Sequence, residues 1–230
     1  MTHDPHDSAT GRDSEPYADG QLMLTGAAGQ VEAQLSYPKG FSAGDRISVV
    51  CHPHPLYGGS MGNKVVHMVA AAFKELGVAT LRFNFRGVGD SEGQYDEGRG
   101  ESDDLIRIAE QVRERHPGSP LWLAGFSFGA YVALRACGDV VPERLLLVAP
   151  PVSLYDFSVL PPIEVPAMVI QGGQDEVIDP AAVEQWLASL SSPPEFHRLD
   201  EADHFFHGQL IRLRETIVEH WGQSLSQRSR

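Results

Sequence analysis

Short apolar runs alternate with longer amphipathic stretches along most of this 230-residue chain. Six runs have the length and composition of buried strands, namely 47–51, 78–83, 121–124, 145–149, 167–170 and 196–199. Between them, apolar residues recur at helical spacing in five stretches, namely 64–76, 102–115, 128–137, 180–190 and 204–221. This alternation predicts an α/β fold in which helices cover both faces of a mostly parallel sheet of about eight strands.

The N-terminal part of the pattern is different. Residues 21–37 hold two alternating stretches on either side of the segment Gly26 to Gly29, which is typical of an antiparallel hairpin. We expect this hairpin to form one edge of the sheet. Because no repeat or linker interrupts the chain after the hairpin, the sequence predicts one domain over 21–224. The connection 150–166 is too short for a cap domain and is expected to form a short lip over a pocket.

The two ends of the chain lack this periodicity. Residues 1–20 are acidic and contain no apolar run, which predicts a disordered tail rather than a signal peptide. His3 and His6 in this tail are expected to be solvated rather than metal-bound, and residues 225–230 are interpreted as a C-terminal tail. No stretch is long and apolar enough to cross a bilayer, so we expect a soluble, cytoplasmic protein.

Charge and cysteine content narrow the classes of function. The formal net charge of -13 at pH 7 repels phosphate backbones and anionic lipid, so neither a nucleic acid nor a membrane is expected as a partner. Cys51 and Cys137 are too few for a disulfide framework, which favours a reducing compartment. The sequence leaves the oligomeric state undecided, and a homodimer is possible because the edge strands of such sheets can pair.

The most informative motif is Gly125-Phe126-Ser127-Phe128-Gly129, between the run 121–124 and the helical stretch 128–137. A bare G-x-S-x-G arises by chance in about one chain in ten of this length, so the prediction depends on the strand–turn–helix context. The turn must be so tight that the serine adopts a strained backbone conformation and side chains at the glycine positions would collide. We therefore predict Ser127 as the nucleophile and the Phe128 N–H as an oxyanion donor.

A serine hydroxyl needs a base, and the base needs a third group to hold its tautomer. In an α/β sheet with this motif the acid follows the serine in the chain and precedes the histidine. Asp175 comes after the run 167–170 and is the predicted acid. Asp179 is a less favoured alternative, because its position before Pro180 is typical of a helix N-cap.

His204 is the first histidine after the run 196–199 and is the predicted base. His207 is the less favoured alternative, interpreted as a surface or packing residue. His197, inside a predicted strand, and His220, near the end of a predicted helix, are assigned structural roles.

A second oxyanion donor is expected in the loop 51–60. Pro53 and Pro55 have no N–H, which leaves His54 and Leu56 as candidates, and His54 is preferred because it lies nearer the strand end.

His52 and His54 together form an H-x-H pair. In an extended segment both imidazoles would share one face, but no carboxylate or cysteine partner is evident nearby in the sequence. Neither a metal nor a cofactor is therefore expected.

Several segments together resemble the α/β-hydrolase superfamily, and more narrowly its small bacterial branch of predicted serine hydrolases related to dienelactone hydrolases. The segments that carry the resemblance are His52-Pro53, 58–61, 63–66, 82–91, 125–129, 171–179 and 204–207. The resemblance implies the fold, the triad and a hydrolase activity, but no particular substrate. Dienelactone hydrolases use a cysteine where this chain has Ser127, so their ring-opening specificity is not transferred.

The segment Arg86-Gly87-Val88-Gly89 belongs to this resemblance and could suggest a phosphate site. Its glycine spacing differs from that of phosphate-binding loops. We interpret it as a glycine turn held by hydrogen bonds of Arg86 and Asp90.

The sequence as a whole predicts a serine hydrolase that cleaves a carboxylic ester through an acyl-enzyme on Ser127. Aromatic side chains are expected to wall a pocket for a small-molecule substrate, namely Tyr57, Phe126, Tyr155 and Phe157, beside His54 and Phe128. A thioesterase or peptidase with the same triad, or a catalytically silent ligand-binding protein on this fold, remain the alternatives.

Overall fold

The computed structural model describes residues 17–228, and side chains as far as residue 223. Its eight strands are β1 (Gly20–Thr25), β2 (Gln30–Ser36), β3 (Ile47–Cys51), β4 (Ala79–Phe83), β5 (Leu121–Phe126), β6 (Arg144–Val148), β7 (Ala167–Gly172) and β8 (Glu195–Leu199). They form one sheet in the order β1-β2-β4-β3-β5-β6-β7-β8. β2 pairs antiparallel with β1 and β4, and all other neighbours are parallel. The predicted sheet and its edge hairpin are confirmed.

Five α-helices connect and cover the strands. They are α1 (Lys64–Glu75), α2 (Arg99–Arg115), α3 (Phe128–Val140), α4 (Pro180–Ser189) and α5 (Leu210–Arg228), with single turns of 3-10 helix at Pro55–Tyr57 and Phe157–Val159. α1 packs on α5, and α2 packs on α3. Helices therefore cover both faces of the sheet, as predicted.

The central strands are apolar at nearly every position because both of their faces are buried. Alternate side chains enter two different cores: Val49 and Leu123 face the core that α2, α3 and α4 close. Val50 and Trp122 face the core that α1 and α5 close. This two-sided burial explains why the central strands read as continuous apolar runs rather than as alternating ones.

The start of the last helix differs from the sequence prediction, which placed it at His204. α5 begins at Leu210 instead. Phe206 and Gly208 both have positive φ, 55° and 71°, which a continuous right-handed helix cannot contain. His204 therefore lies in a loop that follows β8.

Residues 1–16 of the predicted N-terminal tail, with His3 and His6, lie outside the described residues. Residues 17–20 differ from the predicted disorder, because Tyr17 packs against Phe41 at a ring distance of 4.9 Å and Gly20 begins β1. At the other end, α5 continues to Arg228, so most of the predicted C-terminal tail is helical. Within residues 17–228, no helix combines the length and the apolar character that a membrane crossing requires.

The glycine turn after β4 was predicted to be held by hydrogen bonds of Arg86 and Asp90, and both residues form hydrogen bonds to other parts of the fold. Arg86 Nε donates to Asp104 Oδ2 of α2 at 2.7 Å, and its Nη2 donates to the Gly100 carbonyl at 2.7 Å. Asp90 donates its backbone N–H to Glu32 Oε2 at 3.2 Å. Arg86 pairs with Asp104 because Asp104 is buried in α2 and its charge needs a partner, whereas Asp90 is exposed to solvent.

Candidate active site

Ser127 occupies the turn between β5 and α3, with φ 53° and ψ -121°. Such a conformation is strained for a residue with a side chain, and the surrounding structure has to hold it. The Ser127 N–H donates to the Val148 carbonyl at 2.8 Å. A Cβ at Gly125 would collide with the Gly129 carbonyl, and a Cβ at Gly129 would collide with the Cys51 carbonyl. Gly125 thus lets the end of β5 lie close to the start of α3, and Gly129 lets α3 approach β3.

Ser127, His204 and Asp175 meet at the carboxyl edge of the sheet. The distance from Ser127 Oγ to His204 Nε2 is 3.1 Å, and His204 Nδ1 lies 2.8 Å from Asp175 Oδ2. The three residues follow β5, β8 and β7, whose parallel carboxyl ends lie at the same edge of the sheet. All three are nearly buried, with exposures of 9%, 3% and 7% for Ser127, His204 and Asp175.

The two alternative residues lie elsewhere. His207 is exposed and its Nδ1 pairs with Asp203 Oδ2 at 2.7 Å. Asp179 accepts the Ala181 N–H at 2.9 Å and caps α4. The structure therefore groups the preferred histidine and carboxylate with the serine and separates the alternatives from it.

The Asp175 carboxylate is held by three groups besides His204. Oδ1 accepts the N–H groups of Val177 and Ile178 at 2.9 and 2.7 Å, and Oδ2 accepts from Gln171 Nε2 at 2.8 Å. Because a carboxylate only accepts, His204 Nδ1 carries the proton and Nε2 faces Ser127 as a free acceptor. This is the tautomer in which the imidazole can take a proton from the serine.

Two residues of this network were not predicted from the sequence. Gln171 orients Asp175, and Glu176 Oε2 accepts the His204 backbone N–H at 3.3 Å. The signal for Gln171 was present, since it is a polar residue near the end of an otherwise apolar buried strand.

The oxyanion donors were predicted as the backbone N–H groups of Phe128 and His54. Phe128 is the first residue of α3, where an N–H has no partner within the helix. The alternative, the Leu56 N–H, donates to His54 Nδ1 at 3.2 Å. That N–H is therefore already used within its own loop.

A cavity of about 230 Å³ opens beside Ser127 and His204. Its walls are mostly apolar and come from the loop after β3, the start of α3, the lip after β6 and the loops after β7 and β8. The lining residues are Pro53, His54, Tyr57, Gly58, Gly59, Asn63, Ser127, Phe128, Pro151, Leu154, Tyr155, Val177, His204 and Phe205. Tyr57 and Tyr155, two of the predicted pocket residues, are among these lining residues.

The other two predicted pocket residues do not line this cavity. Phe126 is fully buried, with its ring centroid 5.2 Å from that of His204, because the turn at Ser127 directs it into the core under α1 and α5. Phe157 packs against Trp186 of α4 at 5.1 Å. Leu154, Val177 and Phe205 line the cavity instead and were missed. They lie in loops, where side-chain direction follows no periodicity.

A second cavity of about 610 Å³ adjoins the first. The two cavities share a common wall, formed by His54, Tyr57, Leu154 and Tyr155. The remaining lining residues of the second cavity are Tyr95, Glu97, Arg99, Tyr131, Arg135 and Asp156. His54 Nε2 lies 3.1 Å from the Tyr95 hydroxyl, which in turn lies 3.4 Å from that of Tyr155. The common wall is thus supported by a hydrogen-bonded row of aromatic side chains.

His52 and His54 do not form a shared metal-binding face. His52 is fully buried; its Nε2 accepts the Phe85 N–H at 2.9 Å and its Nδ1 donates to the Pro53 carbonyl at 2.6 Å. Burial lowers the pKa of His52 to about 4. Both nitrogens of this imidazole therefore hold backbone groups, one at Pro53 in the loop after β3 and one at Phe85 after β4.

Comparisons with known proteins show similarity along most of the chain as well as at this site. Residues 56–163 match a family model described as serine aminopeptidase, S33. The crystal structure of an α/β serine hydrolase without a lid from Xanthomonas campestris is 44% identical, with a TM-score of 0.85, and the match covers 90% of this chain and 96% of that one. The structure of an α/β serine hydrolase homologue from Coxiella burnetii is also 44% identical, with a TM-score of 0.83 over 87% of this chain and 96% of that one. An uncharacterized protein of Rickettsia prowazekii is 36% identical over 211 residues, 87% of each chain.

Proposed function

Because the chain belongs to the α/β-hydrolase superfamily, and within it to the serine hydrolases, we propose that it is a carboxylesterase with Ser127 as its nucleophile. The observation that carries the proposal is the continuous chain of contacts from Ser127 Oγ through the His204 imidazole to Asp175. Ser127, which lies in the strained turn, also lines a mostly apolar cavity, and this supports the proposal. A small ester is the substrate class that fits this arrangement.

The proposed reaction has two acyl-transfer steps. Ser127 Oγ attacks the ester carbonyl carbon while His204 Nε2 removes its proton, and the carbonyl oxygen becomes an oxyanion that the N–H groups of Phe128 and His54 stabilise. Collapse of this intermediate breaks the C–O bond to the alcohol, which leaves with the proton from His204. Water then attacks the acyl-enzyme, with His204 again as base, and the carboxylic acid and free Ser127 are released.

The side chains that line the cavity favour an ester substrate over a peptide cleaved at its N-terminal bond. An aminopeptidase has to hold the α-ammonium group of its substrate, and an anionic side chain is the usual partner for such a cation. Among the described residues that line the cavity beside Ser127, there is no Asp or Glu. The volume of about 230 Å³ suits a short acyl or alcohol group, and longer ones would extend past Tyr57 and Tyr155 toward the adjoining cavity.

The direct test is hydrolysis of p-nitrophenyl acetate and butyrate by the wild type and by Ser127→Ala. We expect Ser127→Ala to lose at least about 10³-fold in kcat, because the acyl-enzyme cannot form. Ser42→Ala changes an exposed serine in the loop between β2 and β3 and is the matched control. Circular dichroism establishes that both variants fold, and equal rates in the wild type and Ser127→Ala would refute the proposal.

Two further measurements separate the alternatives. A fluorophosphonate probe is expected to label the wild type and not Ser127→Ala, whereas a catalytically silent ligand-binding protein would remain unlabelled. A substrate panel of p-nitrophenyl esters, the matching thioesters and aminoacyl p-nitroanilides then compares kcat/KM. Faster turnover of the anilides than of the esters would contradict the esterase assignment and favour a peptidase.

A further inference from the structure

Three chemistry-bearing side chains meet at a place that the proposed reaction does not use. Glu195 and His197 are the first and third residues of β8, so their side chains leave the same face of the strand. α5 packs on that face and contributes His220. The cluster lies at the amino end of β8, whereas His204 follows the carboxyl end of the same strand.

The distances within this cluster are short. Glu195 Oε1 lies 2.8 Å from His197 Nε2 and 2.9 Å from His220 Nδ1, and the three potential ligand atoms all lie within 4.8 Å of one another. In a tetrahedral zinc site with bonds of about 2.0–2.1 Å, ligand atoms are about 3.4 Å apart. Small side-chain rotations that separate the carboxylate from the imidazoles would therefore create a position for one ion between the three atoms.

We propose that Glu195, His197 and His220 form a zinc-binding site that fastens the edge strand β8 to α5. Two neutral imidazoles and one carboxylate suit zinc, whereas Mg²⁺ and Ca²⁺ prefer sites built only from oxygen. Three protein ligands leave a fourth position for water. The histidine side chains are 18% and 35% exposed, so the ion can reach the site from solvent.

Binding requires a change of tautomer and not a loss of charge. Without an ion, His197 Nε2 and His220 Nδ1 each face the shared carboxylate oxygen and carry the proton of that hydrogen bond. With zinc bound, those nitrogens donate their lone pairs to the metal, and the protons move to His197 Nδ1 and His220 Nε2 through solvent. The negative charge of Glu195 then faces the cation.

The sequence had assigned His197 and His220 to structural roles and had anticipated no metal. His197 and His220 are 23 positions apart and belong to a strand and a helix, so they form no short metal-ligand motif that the sequence could reveal. Only the packing of α5 on β8 brings their nitrogens to one carboxylate oxygen. A structural role and a metal site are compatible, because an ion held by both elements links them.

The test uses the full chain without an affinity tag, freed of metal by a chelator that is then removed. Isothermal titration with Zn²⁺ is expected to show one site per chain and an upward shift in Tm, and Mg²⁺ is expected to give neither. Co²⁺ in place of zinc should produce the visible absorption of a tetrahedral site. Absence of stoichiometric zinc binding to the wild type would overturn the proposal and leave a hydrogen-bonded cluster.

Variants locate the binding. His197→Gln and His220→Gln are each expected to abolish the titrated site and the zinc-dependent shift in Tm, while the Tm measured without metal shows that they fold. His207→Gln is the matched control, because His207 also pairs with a carboxylate but lies outside the cluster. Zinc binding that persists unchanged in both His197→Gln and His220→Gln would place the ion elsewhere and overturn the proposal.

Discussion

At the scale of single residues, the contacts of Asp175 make the sharpest prediction. In Asp175→Asn one atom can still accept the N–H groups of Val177 and Ile178, but the amide nitrogen then faces His204 Nδ1 as a donor. This favours the imidazole tautomer that carries its proton on Nε2. In that tautomer Nε2 faces Ser127 as a donor and cannot accept the serine proton. We expect kcat for p-nitrophenyl acetate to fall about 10³- to 10⁴-fold.

The matched control for this prediction is Asp203→Asn. Asp203 holds His207 at 2.7 Å in a similar carboxylate–imidazole pair, but that histidine is exposed and outside the site. Its variant should retain wild-type kcat. A rate for Asp175→Asn close to that of Asp203→Asn would mean that the carboxylate does not orient the base.

Residue identities at the site could be predicted to different degrees. Ser127, Asp175 and His204 follow strand ends, and parallel strands bring such ends together, so local sequence was enough to nominate them. The pocket was harder: Phe126 and Phe128 flank the serine symmetrically in sequence, yet only Phe128 faces the cavity. The side of a turn on which a side chain lies depends on the backbone angles of the turn, and the residue types do not predict those angles.

At the scale of elements, the turn between β5 and α3 requires its glycines. Gly129 and Gly138 both lie in α3, but a Cβ at Gly129 would strike the Cys51 carbonyl of β3, whereas one at Gly138 would meet only Pro161 side-chain carbons, the nearer at 3.5 Å. Backbone atoms of a central strand cannot move aside. We expect Gly129→Ala to lower the free energy of unfolding by about 3 kcal/mol or more.

Gly138→Ala is the control within the same helix. Alanine has the better helix propensity, so this variant should be neutral or more stable by up to about 1 kcal/mol. Urea denaturation of both variants, followed by circular dichroism, measures the difference. Equal stabilities would show that α3 can shift away from β3, and the tight approach would then not explain the glycine.

Most strands and helices were predictable because their apolar periodicity is local. The predicted run 47–51 coincides with β3, and the predicted helix 180–190 ends one residue beyond α4. The start of α5 was not predictable, since the sequence from His204 onward has helical periodicity and the break comes from Phe206 at positive φ. An aromatic residue rarely adopts that conformation, so nothing in its type signals it.

At the scale of the whole molecule, Asp104 joins three parts of the fold. It lies in α2, pairs with Arg86 after β4, and its Oδ1 accepts the N–H groups of Ala27 and Ala28 in the hairpin turn at 2.7 and 3.3 Å. Its side chain is 1% exposed and that of Arg86 is 10% exposed. Asp104→Asn leaves a nearly buried guanidinium without its counter-charge, and we expect it to cost about 3–5 kcal/mol of stability.

A solvent-exposed ion pair provides the comparison. Glu184 pairs with Arg198 at 2.8 Å, and both side chains are more than two-fifths exposed. Glu184→Gln should therefore cost less than about 1 kcal/mol. Urea titrations of the two variants at pH 7 test the contrast, and a small effect of Asp104→Asn would mean that water reaches Arg86 and replaces the carboxylate. The sequence could not predict the pairing of Arg86 with Asp104, because the two residues are 18 positions apart and lie in different elements.

Acid stability of the molecule should depend on His52. Burial lowers its pKa to about 4, against about 6.5 in the unfolded chain, so only the unfolded chain takes up this proton as the pH falls from 6.5 to 4. Above pH 6.5 this histidine does not reduce the free energy of unfolding. We expect the reduction to reach about 3 kcal/mol near pH 4. His52→Gln can still accept the Phe85 N–H but cannot be protonated. Urea titrations between pH 7 and pH 4 should therefore show a shallower decline for His52→Gln than for the wild type, and parallel declines would mean that other groups cause the acid sensitivity.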